Sequence, residues 1–143
     1  MSKLIGHFRV RPLYGQVSVE SESPSSTPIP ETGEEPVVAL PESILIATRS
    51  DHEGDVDLEL YAGAAPLEGF SKVYSGAINL RTPFVVLGNT IGNQIWKVRV
   101  PAAGQMPVEI YVDRPSSASR VRISLPSVPP ERLMRRSQPG AVR

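Results

Sequence analysis

The sequence predicts an all-β protein: a single antiparallel β-sandwich, or a Greek-key barrel, with a flexible N-terminal arm and a basic C-terminal tail. Three observations carry this reading. The 143 residues include 15 prolines and 11 glycines, an excess that interrupts helices and favours short strands joined by turns. Several segments alternate apolar and polar residues with period two, the signature of a half-buried strand. No stretch of ten or more residues shows the three-and-four apolar spacing of an amphipathic helix. One short helical candidate, Pro130–Arg136, has a proline suited to a first helical turn.

The chain divides into four parts. Residues 1–19 form an N-terminal β arm with two strand-like runs, one built on Ile5, Phe8 and Val10, the other on Val17 and Val19, with Pro12 and Gly15 placed for a turn. Residues 20–36 (ESESPSSTPIPETGEEP) read as a linker, because Ile29 is their one large apolar side chain and little burial is available to offset ordering entropy. Residues 37–126 form the sandwich domain, and residues 127–143 a basic flexible tail. Such a linker is longer than an ordinary connection between packed strands. It would let the arm dock on a neighbouring subunit, so that a chain lacking residues 1–20 would fold but lose association.

Within the domain, Ile44–Thr48 is a nearly continuous apolar run, as expected of a central strand. Asp55–Tyr61 alternates cleanly, placing Val56, Leu58 and Leu60 inward and Asp55, Asp57 and Glu59 outward. The polar stretch Arg49–Gly54 between them reads as a hairpin turn. Further strands are expected at Lys72–Leu80, Pro83–Leu87, Gln94–Val100, Val108–Val112 and Val121–Leu125, and Gly88–Asn93 reads as a hairpin loop. Trp96 is the one tryptophan, and its size favours a place in the core.

Net charge is zero but segregated. Residues 21–70 hold eleven acids against Arg49 alone, a net charge of −10, whereas residues 114–143 hold seven arginines against Glu131, a net charge of +6. Such a distribution serves a partner or lets the two regions attract each other. The absence of cysteine excludes disulfides and thiolate chemistry. Met1–Gly15 has no apolar core of a secretory signal, and no apolar run approaches the roughly 20 residues that span a bilayer. A cytoplasmic location is expected, or else a virion or other assembled particle, with no membrane association.

No catalytic or metal-binding set emerges, and no cofactor is expected. The acidic stretch from Asp51 to Glu59 departs from the EF-hand pattern, since its alternation begins after Gly54 and fits a solvated strand face. His7 and His52 lack the partner and pocket a general base needs. Neither a Gly-rich phosphate loop, a G-x-S-x-G elbow nor H-E-x-x-H occurs. The residues expected to contact a partner are Ile5, Phe8, Val10 and Tyr14 of the arm, Asp55, Asp57 and Glu59 of the acidic strand, and Arg132, Arg135 and Arg136 of the tail. Nucleic acid is not the expected partner, because no aromatic residue punctuates the tail for base stacking.

At His52-Glu53-Gly54-Asp55-Val56-Asp57-Leu58-Glu59-Leu60 the chain resembles small uncharacterised bacterial β-sandwich proteins, in which a His-Asp-Gly turn leads into an alternating strand. A later strand of those proteins carries a Val-Arg-Val triplet, matched here by Val98-Arg99-Val100. The resemblance covers roughly residues 44–125, with Glu53 in place of the aspartate, and it implies a sandwich without implying an activity. The expected function is that of a non-enzymatic protein-interaction module, which binds a partner or self-assembles through its arms into a homo-oligomer. The alternatives are a structural or accessory component of a virus particle or other large assembly, and an immunity or inhibitor protein of a toxin system.

Overall fold

Ten strands stack as two five-stranded sheets in the computed structural model, which describes residues 3–29 and 34–129. In chain order these are β1 (Lys3–Val10), β2 (Gln16–Ser21), β3 (Val37–Leu40), β4 (Ser43–Ala47), β5 (Val56–Ala62), β6 (Ser71–Leu80), β7 (Phe84–Asn89), β8 (Gln94–Arg99), β9 (Gly104–Val112) and β10 (Arg120–Leu125). Sheet I runs β1-β5-β10-β9-β6 and sheet II runs β3-β4-β2-β7-β8. The one helical element among the described residues is a short 3-10 turn, Leu13–Gly15. The all-β sandwich expected from the alternation is thus the observed fold, with one departure from a purely antiparallel design. β10 pairs with β5 in parallel, Arg120 opposite Asp57 and Leu125 opposite Ala62.

The inward-facing positions follow from the period-two rule. Val56, Leu58 and Leu60 of β5 are fully buried, as are Val121 and Ile123 of β10 and Val108 and Ile110 of β9. Sheet II answers with Val17, Val19, Ile44, Ile46, Val85 and Leu87. Of the two phases open to β8, the observed one turns Trp96 and Val98 into the core. Trp96 stacks on Phe8 of β1 with ring centroids 4.8 Å apart, an aromatic clasp between the two sheets.

Two expectations need correction. The first concerns residues 1–19, which are no detached arm. β1 pairs antiparallel with β5 in sheet I, and β2 lies between β4 and β7 in sheet II. Phe8, Val10, Val17 and Val19 are core residues and Ile5 packs against them, so Phe8 and Val10 have no surface to offer a partner. The physical reason is that the turn at residues 11–15 carries the chain from one sheet to the other, and each run buries its apolar face in its own subunit. Glu20 and Ser21, assigned to the linker, end β2.

The second correction concerns Arg49–Gly54. β4 belongs to sheet II and β5 to sheet I, so this stretch is a corner between sheets and no hairpin forms. Backbone pairing of Thr48 with Ala118 and the bond from Arg49 N–H to the Ala118 carbonyl fasten that corner to the β9–β10 loop. The β7–β8 hairpin around Gly88–Asn93 is observed as expected. Beyond β2, the Ser25 amide donates to Glu42, and Glu22 accepts from Thr82 and Lys97. Val128 is buried. The helical candidate and the tail residues Arg132, Arg135 and Arg136 lie outside the described residues.

Candidate functional site

The outward side chains of β5 were expected to be free for a partner. Their neighbours across the sheet decide otherwise. β5 lies between β1, which brings His7 and Arg9, and β10, which brings Arg120 and Arg122. Asp57 meets His7 Nε2 at 3.1 Å and Arg9 Nε at 3.5 Å. Glu59 accepts from Arg122 Nε at 2.8 Å and lies 3.5 Å from an Arg120 nitrogen. Part of the sequence's charge segregation is therefore resolved within sheet I, where an acidic strand sits between two basic ones.

The 63–70 loop covers this network. The Arg122 guanidinium donates to the Pro66 carbonyl at 2.9 Å and stacks on the Phe70 ring at 3.9 Å, and Phe70 packs on a small outer cluster of Tyr61, Ala65 and Tyr111. Glu59 and Arg122 are held with side chains only 11% and 12% exposed. Removing one member of such a pair strands the other's charge, so Arg122→Ala is expected to cost about 3 kcal/mol in a urea unfolding titration. Arg122→Lys is expected to recover little of it, since an ammonium cannot bridge Glu59, Pro66 and Phe70 together. An unchanged midpoint for Arg122→Ala would show that the pair is structurally idle. Asp55 stands apart from the network: its residue is exposed, and its carbonyl accepts from Arg49.

Sheet II buries a different acid. Glu20 projects from the outer side of β2, is almost inaccessible and accepts from Ser43 Oγ at 2.9 Å. Burial pushes its carboxyl above the ordinary value, and the Ser43 bond only partly opposes this. The raised folded-state pKa means that the native protein holds this proton more tightly than the unfolded chain. The residue's contribution is therefore most favourable below the unfolded value of 4.5 and declines as pH rises through the folded one. Glu20→Gln, which keeps an acceptor for Ser43, is expected to raise the melting temperature at pH 7 and to have little effect at pH 4. Equal shifts at both pH values would count against the burial account.

The second candidate site is one end of the sandwich, where the 11–15 turn, the 48–55 corner, the β7–β8 loop and the β9–β10 loop converge. They enclose a cleft of about 600 Å³, lined among others by Leu13, Tyr14, Thr48, Asp51, His52 and Ile91. Tyr14 is 82% exposed and Ile91 48% exposed, unusual positions for large apolar groups that sit on neighbouring turns.

Tyr14 also has a left-handed backbone (φ 60, ψ 21), a conformation that costs a bulky residue about 1–3 kcal/mol and persists only where the surroundings impose it. The imposing residue is Asn89. Buried at the end of β7, its amide donates to the carbonyls of Leu13 at 3.0 Å and Gln16 at 2.8 Å, and its oxygen accepts from the Gly92 amide at 2.8 Å. One side chain thus fixes both the turn that displays Tyr14 and the loop that displays Ile91. The neighbouring Gly88 lets β8 approach closely: its φ is 131°, and a Cβ there would collide with the Gln94 carbonyl. The bond from Thr48 N–H to the Gly15 carbonyl secures the turn from the opposite side.

Asp51, His52, Ser50 and Ser116 share this cleft, but their bonds lead elsewhere. Asp51 pairs with Arg11 at 3.4 Å, and Ser116 Oγ donates to the Glu34 carbonyl at 2.8 Å. His52 bonds to neither serine, so this cleft holds no aligned pair of serine hydroxyl and imidazole. Nor do those residues contain a group of three or more acids and histidines placed to hold a metal ion, and no helix among them is long and apolar enough to cross a membrane.

Among the described residues, Tyr14 is the sequence-derived contact residue that lines this cleft. Asn89 and Ile91 carry no sequence signal of their own: Gly88–Asn93 reads as an ordinary hairpin loop, and nothing local marks its asparagine as a buried clamp.

No family model matches the sequence, and neither does any curated protein. Among solved structures, the fold is similar to the crystal structure of ComJ, inhibitor of the DNA degrading activity of NucA, from Bacillus subtilis. The TM-score is 0.63 at 12% sequence identity, over 87% of this chain and 96% of that one. The likeness spans nearly the whole sandwich in both proteins, and what the two chains share is this two-sheet fold.

Proposed function

We propose that the protein is a non-enzymatic inhibitor that acts by binding another protein, with a DNA-degrading enzyme as the class of partner. The observation that carries the reading is the rigid display of Tyr14 and Ile91 at the loop end of the sandwich. Aromatic anchors held in their bound conformation lose little entropy on association, and a few such residues supply most of an interface's energy. The fold shared with a nuclease inhibitor supports the same direction and favours the inhibitor reading over assembly through arms, since β1 and β2 pack within their own subunit.

The test is capture from the native source with the tagged full chain, followed by a DNA-degradation assay on the captured material. The released fraction is expected to degrade DNA, and adding back the purified protein is expected to stop it near one-to-one stoichiometry. Recovery of no such activity, or an activity indifferent to the added protein, would refute the reading.

A further inference from the structure

The two sheets present four edge strands, and three of them are protected against pairing with another chain. β3 has only four residues. β8 carries Lys97 and Arg99. β1 carries Lys3, His7 and Arg9 and is irregular between Leu4 and Gly6. Short length, charge and bulges are the usual devices against edge pairing. β6 has Lys72 and an irregularity between Lys72 and Tyr74 at its start, but beyond them it lacks these devices: it is ten residues long, and Tyr74–Leu80 is regular and contains no charged residue.

The ladder shows which backbone groups of β6 are unpaired. The Asn79 N–H points away from β9 and bonds to the Pro41 carbonyl at 2.7 Å. In an antiparallel strand this orientation recurs every second residue, so Ala77 and Ser75 also direct their N–H and C=O outward. The register agrees. Ala77 lies opposite Pro107, a residue with no N–H to donate, as suits a pair that exchanges no hydrogen bonds. Ser75, Gly76 and Ala77 are all exposed.

We propose that β6 pairs antiparallel with β6 of a second copy of this chain, about a two-fold axis at Gly76. This register sets Ser75 of each copy against Ala77 of the other, the two residues whose backbone groups are free, and forms about four hydrogen bonds. It sets Tyr74 against Ile78 and brings no two charges into opposition. Gly76 meets its own copy at the axis, where backbones come closest and a missing side chain helps. The Tyr74 ring already lies over the space a Cβ at Gly76 would fill. Such a contact closes on itself, capping both open edges without leaving a free end for further growth.

The test uses the purified full-length protein in sedimentation velocity from about 1 to 300 µM, a range chosen because an interface this small is weak. The wild type is expected to shift from the 15.5 kDa monomer to a species of twice that mass. Ala77→Pro removes an outward N–H and leaves the β6–β9 ladder intact, and Ser75→Lys adds charge to the same edge. Both variants are expected to remain monomeric at 300 µM with wild-type melting temperatures. A wild type that stays monomeric over the whole range overturns the proposal. So does a dimer that survives both substitutions.

Discussion

Removing residues 1–20 is expected to abolish cooperative folding. β2 is the central strand of sheet II, and without it the β3–β4 pair has no ladder to β7–β8. β1 closes one edge of sheet I and supplies half of the Phe8–Trp96 stack. Phe8, Val10, Val17 and Val19 are buried in the core. At about 1.5–3 kcal/mol each, they contribute roughly 6–12 kcal/mol, comparable with the roughly 5–15 kcal/mol by which whole domains are stable. A circular-dichroism melt of the truncated chain should show no sigmoidal transition. A truncated protein that melts cooperatively near the wild-type temperature would mean that β1 and β2 do not belong to their own subunit's core.

Tyr14→Gly is expected to move stability and binding in opposite directions. Relief of the left-handed strain is worth about 1–3 kcal/mol, whereas the extra freedom of glycine in the unfolded chain costs about 0.5–1 kcal/mol. The side chain is 82% exposed and loses little burial, so the net should be a gain of about 1 kcal/mol. Binding to the captured nuclease should fall roughly 30-fold or more, the effect of losing an anchor worth about 2 kcal/mol. Asn89→Ala should lower both quantities, because the Leu13 and Gln16 carbonyls lose their shared donor and the turn loses its shape. Thermal melts and a binding titration on the same three proteins decide the matter. Unchanged affinity for Tyr14→Gly would remove this end of the sandwich from the interface.

The residues differ in how much of this they announce. The alternation of Asp55–Tyr61 reveals both faces of β5, and the size of Trp96 favours its burial, because these are local properties of composition and period. What local pattern does not carry is the choice of neighbour. Val17 and Val19 read as a strand, but nothing in them says that the strand lies between β4 and β7. Arg49–Gly54 has the composition of a tight turn, and only the placement of β4 and β5 in different sheets makes it a corner. The acids of β5 were legible as an exposed stripe, yet their pairing with His7, Arg9, Arg120 and Arg122 depends on strands far away in sequence. Tyr14 is legible as a residue expected to contact a partner. Its strained display could not be anticipated, because that strain is imposed by Asn89, 75 positions further along.

The place of β5 between β1 and β10 also bears on how the chain reaches this fold. Its two neighbours come from opposite ends of the sequence: His7 is 50 residues from Asp57, and Arg122 is 63 residues from Glu59. Contacts at such separations give a high contact order, and domains of this kind fold in milliseconds to seconds. During synthesis β5 can find β1 early but must wait for β10, with one ladder edge and the apolar row Val56, Leu58 and Leu60 uncovered meanwhile. A chain interrupted before residue 120 would carry that open strand indefinitely. Prematurely terminated products are therefore expected to aggregate rather than to persist as shortened domains.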